Sequence, residues 1–245
     1  VGVLLGGLGQ LFLQLPLFKQ LGYTLKPSVD FSPRDFRTVM RRWLPVVSTA
    51  GIFTVNQQIA MYFASGLDDG SGSALTNALV FFQLPFGIFG AAVITVLFPT
   101  LSKQWERGEI EQFTRTVRGG MYSLLLLLVP SAAGLIALGE PMIAVALQRG
   151  AFEAVHTRMA SDVLWGYSWG LFSVGAYTFM QRVFYAAGDY KTPIFIAGIT
   201  LIIDVALSIW LKETVLRVAG LSVANSAAFS VGLVMFLLAL ARHVP

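Results

Sequence analysis

Cysteine is absent from the 245-residue chain, which excludes disulfides, thiolate catalysis and thiolate-held zinc or iron–sulfur sites. Histidine is nearly absent. His156 and His243 are the only two, they fall in loops on opposite sides of the membrane inferred below, and neither has a metal-ligand or triad partner at a recognisable spacing. There is no HExxH helix, no Walker lysine and no GxSxG elbow, and Gly6–Gly9 form no dinucleotide fingerprint. Charge is scarce as well, at 12% of residues or about half the usual share. Glu106, Glu109 and Glu111 alternate with Arg107 and Arg115 as on the solvated face of an amphipathic helix. These shortages argue against an enzyme, and neither an organic cofactor nor a metal centre is expected.

Apolar residues fill the gap, at 56% of the chain with a mean hydropathy of +0.71. A soluble globule does not have this composition. Charges cluster in short segments, and the apolar stretches between them approach the roughly 20 residues that a helix needs to cross a bilayer. Gly, Pro and charge punctuation delimit seven candidate spans: Val1–Leu17, Leu44–Leu67, Ala74–Pro99, Gly119–Leu138, Val163–Ala187, Thr192–Leu211 and Ala219–Leu240. The expected fold class is therefore all-α, a polytopic transmembrane helical bundle of about seven spans. The first run lacks a basic n-region and a cleavage site, so it does not read as a signal peptide, and both ends of the sequence suggest a piece of a longer chain.

Net charge +4 would point a soluble protein toward nucleic acid; in a membrane protein it sets orientation instead, and no nucleic-acid partner is expected. Segments after spans one, three, five and seven carry thirteen of the Lys and Arg residues, against four on the other side: Arg149, Arg158, Lys212 and Arg217. The first set is read as cytoplasmic. Ser32-Pro33-Arg34-Asp35-Phe36 opens a capped amphipathic helix that ends at Trp43, with Phe36, Val39, Met40 and Trp43 opposite Arg34, Arg37, Arg41 and Arg42. Such a helix is expected to lie in a membrane interface.

In hydrocarbon an unpaired polar group is costly, so polar residues at helical spacing mark a face that meets protein or water. Four spans carry one: Thr49 and Asn56 with Thr54 and Gln58; Ser173, Tyr177 and Gln181; Thr200, Asp204 and Ser208; and Ser222, Asn225, Ser226 and Ser230. The stripes either line a shared cavity or hydrogen-bond helix to helix as packing glue. Asn56, Gln58, Gln83 and Gln181 are the candidates for a cavity wall. Asp204 stands apart, because a carboxylate in mid-span costs on the order of 3 kcal/mol to insert. Its functional readings are a proton carrier or a ligand for Na+ together with Ser208, Asn225 or Asn56; its structural readings are a carboxyl that stays protonated or caps a neighbouring helix. Pro85 with Gly87, and Pro130 with Gly134, fall inside spans three and four and read either as hinges or as static kinks, which membrane helices tolerate well; Pro85, Gly87 and Pro130 are the hinge candidates.

Specific motifs then accumulate. Gly2-Val3-Leu4-Leu5-Gly6-Gly7-Leu8-Gly9-Gln10, Gln14-Leu15-Pro16, Gln83-Leu84-Pro85-Phe86-Gly87-Ile88-Phe89-Gly90, Leu97-Phe98-Pro99-Thr100-Leu101-Ser102, Gln148-Arg149-Gly150-Ala151-Phe152, and Phe184-Tyr185-Ala186-Ala187-Gly188-Asp189 with Lys191-Thr192-Pro193 resemble, in order, the MurJ/MviN family of lipid II flippases. The resemblance implies one lobe of a two-lobed alternating-access transporter of the multidrug/oligosaccharidyl-lipid/polysaccharide exporter superfamily. Residues 1–21 would be the last span of the first lobe, 22–43 a cytoplasmic amphipathic linker helix, and 44–245 the second lobe of six spans. It implies a multi-pass protein of the bacterial cytoplasmic (inner) membrane that acts in peptidoglycan biosynthesis. Its partners would be the lipid-linked cell-wall precursor, membrane lipids and the N-terminal lobe of the same chain. The family usually has arginine three residues before the Gln-Leu-Pro motif, where this chain has Val80. Two other readings stand beside it: a cation-coupled polysaccharide or drug exporter of the same superfamily, favoured by Asp204 and Val80, and a non-transporting scaffold that recruits cell-wall enzymes through its basic helices.

Overall fold

A computed structural model of the chain describes residues 2–20, 34–150 and 152–243, and among these every regular element is helical. The chain divides into two compact units, residues 1–41 and 42–245. In the first, α1 (Gly2–Gln20) carries Pro16 within its last turns. The proposed cap at Ser32 and Pro33 lies outside the described residues, as do residues 21–31 and Ala151. The helix α2 (Arg34–Ser65) starts in the first unit and continues without interruption, so the amphipathic stretch and the second span are one helix where the sequence suggested two.

The second unit continues with α3 (Ser71–Pro85), a single π-helical turn (Phe86–Gly90), α4 (Ala91–Glu106), α5 (Ile110–Leu147), α6 (Ala154–Trp169), α7 (Leu171–Ala186), α8 (Lys191–Leu211) and α9 (Val218–His243). Among the described residues four helical stretches are long and apolar enough to cross a membrane: Ser71–Glu106, Ile110–Leu147, Lys191–Leu211 and Val218–Ala241. Two elements depart from expectation. The fourth span was bounded at Gly119–Leu138, yet α5 runs on at both ends and stays helical through Pro130 and Pro141, so Pro130 does not interrupt it. Helix continuity survives because proline removes a single N–H, and neighbouring groups can take up the orphaned carbonyl. The fifth span, expected as one helix over 163–187, is instead broken at Gly170 into α6 and α7.

Local chemistry explains the sharpest turn. Gly188 adopts φ +76°, a left-handed conformation that ends α7, and its N–H donates to the Tyr185 carbonyl at 3.0 Å. Asp189 then caps α8: its carboxylate accepts from the Lys191 and Thr192 N–H groups at 2.9 and 3.1 Å and from the Thr192 hydroxyl at 2.6 Å.

α9 lies at the centre of the unit, packed on α6, α7 and α8, while α5 packs on α4, α6 and α7, and α3 on α6. Small residues allow the α6–α9 approach: a methyl group at Gly166 would collide with Ser222, and one at Gly170 with Ser226. α8 is built inside out. Phe195, Ile202 and Ile209, seven residues apart on one stripe, are exposed, whereas Thr200, Asp204 and Ser208 are buried. Water would punish that arrangement; a bilayer stabilises it.

Candidate functional site

Asp204 sits in the middle of α8, flanked by Ile203 and Val205, and is 4% exposed. Three helices supply its partners. Asn56 of α2 donates Nδ2–H to Asp204 Oδ2 at 2.6 Å, Asn225 of α9 donates Nδ2–H to the same oxygen at 2.8 Å, and Ser208, one turn along α8, donates its hydroxyl to Oδ1 at 3.3 Å. Every partner is a donor. That pattern suits an ionised carboxylate, which only accepts, and it leaves Oδ1 with just one long bond and spare lone-pair capacity. Asn56, Asp204, Ser208 and Asn225, four residues from three separate stripes, therefore form one cluster.

The cluster opens on a cavity of about 660 Å³ walled by α2, α3, the π-helical turn, α6, α7, α8 and α9. Gln58 and Gln83 line it with Gln57, against an apolar wall that includes Phe53, Leu79, Phe86, Tyr167 and Phe229. Among the described residues Asp204 is the single charged one in this lining, and Val80 lines it at the position where the family pattern has arginine. Gln181 is not there. It lines a separate small cavity of about 30 Å³ beside Thr49, Asn56, Tyr177 and Thr200. Among the described residues no group of His, Asp and Glu is arranged to hold a metal ion by itself. Any cation at Asp204 would take its remaining oxygens from amides, hydroxyls, backbone carbonyls or water, which are ordinary donors for a hard monovalent ion.

The hinge candidates separate into two kinds. Pro85 is the last residue of α3, and Gly87 lies in the π-helical turn that follows, so the helix register changes beside the cavity that both residues line or adjoin. Pro130 lies inside the continuous α5, away from that cavity. The break at Gly170 was missed by the sequence reading. Ser226 of α9 donates its hydroxyl to the Gly166 carbonyl at 2.7 Å, and Ser230 donates to the Ser173 hydroxyl at 2.8 Å, so the stripe on α9 serves as helix-to-helix glue around the break. The signal was present as Gly166 and Gly170, spaced like Ser222 and Ser226 on the facing helix.

An inside-out helical bundle with a carboxylate buried in mid-span and a cavity leading to it defines a class: a multi-pass α-helical membrane protein. The comparisons narrow the class. The family model described as lipid II flippase MurJ matches residues 1–245, and the chain belongs to that family. A probable lipid II flippase MurJ of Borreliella burgdorferi is 28% identical over 96% of this chain and 46% of its own length. That of Thermotoga maritima is 31% identical over 97% and 47%. A solved structure of lipid II flippase MurJ in an inward closed conformation superposes with a TM-score of 0.75 at 28% identity, over 93% of this chain and 48% of that one. The chain thus spans about half the length of the curated relatives it matches.

Proposed function

We propose that the chain is the second-lobe half of a flippase that carries a polyprenyl-diphosphate-linked peptidoglycan precursor, lipid II, across the bacterial cytoplasmic membrane by alternating access. In this reading residues 44–245 form the lobe, residues 22–43 the cytoplasmic linker, and residues 1–21 the end of the preceding lobe. The protein transports and performs no covalent chemistry. A monovalent cation or proton at Asp204 couples the cycle to the membrane's electrochemical gradient.

Family membership supports the substrate, and one observation carries the coupling: a buried carboxylate held only by donors from α2, α8 and α9. Cation arrival at Oδ1 or Oδ2 competes with the Asn56 and Asn225 amides, so occupancy of the site and the seating of α2 are linked. Hinge bending would fall at Pro85, Gly87 and the π-helical turn, where the cavity wall changes register. The diphosphate is a different matter. A cavity whose one charged residue, among those described, is Asp204 does not attract it, and this reading assigns its charge-assisted donors to the half of the protein that this chain does not span. The same observation favours the second reading, a cation-coupled exporter of another lipid-linked glycan.

Complementation decides between them. The full-length gene is expressed in cells depleted of their own lipid II flippase, with and without Asp204→Asn. Growth with the unmodified gene and loss of growth with Asp204→Asn is the expected result. Failure of both, with the protein present in the membrane, would shift the substrate to another lipid-linked glycan.

A further inference from the structure

Asp204 lines the large cavity but not a second one of about 30 Å³, which is lined by Thr49, Asn56, Tyr177, Gln181 and Thr200; Asn56, Phe53 and Phe229 line both cavities and form the wall between them, so Asn56, the amide bonded to Asp204, stands between the carboxylate and the small cavity. Thr200, one turn before Asp204 on α8, is 4% exposed, and among the described residues its hydroxyl has only the Tyr177 hydroxyl as a candidate partner, outside full hydrogen-bond geometry. It faces the Tyr177 hydroxyl, which has Gln181 as its other polar neighbour. A buried hydroxyl beside a polar hole is a place for water, and about 30 Å³ holds one or two molecules with the two to four partners each requires.

The polar residues continue in one direction. Asn56 to Thr49 steps toward the start of α2, Asp204 to Thr200 toward the start of α8, and Tyr177 through Gln181 to Tyr185 toward the end of α7. Alternation of the spans puts those three ends on one face, the one that the Lys and Arg count makes cytoplasmic. At the far side of the cavity the Tyr185 hydroxyl hydrogen-bonds Thr49, its ring stacks on Tyr190 at 5.6 Å, and the Arg182 guanidinium lies 5.9 Å from the ring centre. Tyr185 is 8% exposed and Arg182 is exposed, so Tyr185, bonded to Thr49 of the small cavity's lining, stands between that cavity and the surface.

We propose that the small cavity between Asn56, Thr200, Tyr177 and Gln181 holds water and is the inner leg of the route by which a monovalent cation exchanges between Asp204 and the Arg182 end of the lobe, with Tyr185 as its stopper. The proposal rests on the coupling reading above and adds the path and its side. A purely structural water would satisfy Thr200 equally well but would leave ion exchange untouched when its partners are removed.

The test uses the full-length protein reconstituted in vesicles, with radioactive sodium as the probe. Thr200→Val and Gln181→Leu should keep equilibrium sodium binding within about threefold and slow exchange from the cytoplasmic side by roughly tenfold, with Thr200→Ser restoring the rate. X-ray hydroxyl-radical labelling should mark Tyr177 despite its burial, and less so in Thr200→Val. Unchanged exchange in both variants, or an unlabelled Tyr177, overturns the route while the coupling reading stands. Sodium binding that survives Asp204→Asn overturns the coupling reading and the route with it. An elution profile matching the unmodified protein confirms that each variant is folded.

Discussion

The Asn56–Asp204 bond ties α2 to α8 through buried polar atoms, and its strength follows from the charge it serves. Interhelical hydrogen bonds between neutral groups in membranes average about 0.6 kcal/mol, because the separated helices find other partners. A bond to an ionised group contributes about 1.5–3 kcal/mol, and at 2.6 Å with both residues under 10% exposed this one belongs in that range. The perturbation is a double-mutant cycle of Asn56→Leu and Asp204→Leu in the full-length protein. Leucine keeps the side-chain volume near that of both residues and removes the polar atoms. Reversible unfolding in mixed micelles of lipid and denaturing detergent gives the four free energies. The expected coupling is about 2 kcal/mol, with Asn56→Leu alone costing slightly more, since it leaves the carboxylate with Asn225 and the long bond from Ser208. A coupling at or below about 0.6 kcal/mol would refute the reasoning, because it would mean that Asp204 is held as a neutral acid.

Three further outcomes are expected from the same preparation. Gly166→Val should destabilise the protein by about 2–3 kcal/mol, because it drives a branched side chain into Ser222 at the α6–α9 contact, and pairing it with Ser222→Gly should recover part of the loss. Arg217 holds φ +45° while its guanidinium pairs with Asp68 at 2.5 Å in an exposed turn, so Arg217→Val should cost about 1–2 kcal/mol and Arg217→Gly less, since glycine relieves the strain and an exposed pair contributes under about 1 kcal/mol. Val80 lines the large cavity within a membrane-spanning stretch, so Val80→Arg should cost up to about 3 kcal/mol in unfolding, less if the guanidinium reaches Asp204, and should lower the complementation threshold if cavity charge limits diphosphate capture.

Much of this arrangement was legible in the sequence, and the reason is physical. In a bilayer the polar residue is the anomaly, so Asp204, Asn56, Ser208 and Asn225 announced themselves one helix at a time. What a stripe cannot reveal is its partner. Gln181 belongs to the same stripe as Tyr177, yet it faces the small cavity, apart from Gln58 and Gln83. The α9 stripe divides: Asn225 reaches the carboxylate while Ser226 and Ser230 bind the α6–α7 break. Helix ends were harder still. Proline was read as an interruption at both Pro85 and Pro130, but only the first is followed by a change of register, where Gly87 and Gly90 leave room for the wider turn. The break at Gly170 involves no proline and depends on a contact with another helix, which no local reading contains.

The second unit holds α2 by little. Among the described side chains from residue 42 to 65, Thr49, Asn56 and Ala64 alone are buried, two of them polar, and Phe53 adds an edge-on ring contact to Phe229 at 6.1 Å. Apolar packing would fix such a helix regardless of ions, since lipid and protein interiors differ little for a leucine side chain and the contact has no charge to compete for. A helix seated by an amide on a carboxylate is different, because a cation and the amide want the same oxygens. If the bond contributes about 2 kcal/mol, its loss or gain changes the seated population of α2 by roughly thirtyfold, enough to turn a mostly closed contact into a mostly open one. Gln57 and Gln58 sit next to Asn56 on the cavity side of the same helix, so a cation bound at Asp204 would move the wall that a substrate would touch. The proposed coupling then needs no long chain of contacts, because Asp204's partner and the cavity wall share one residue of α2.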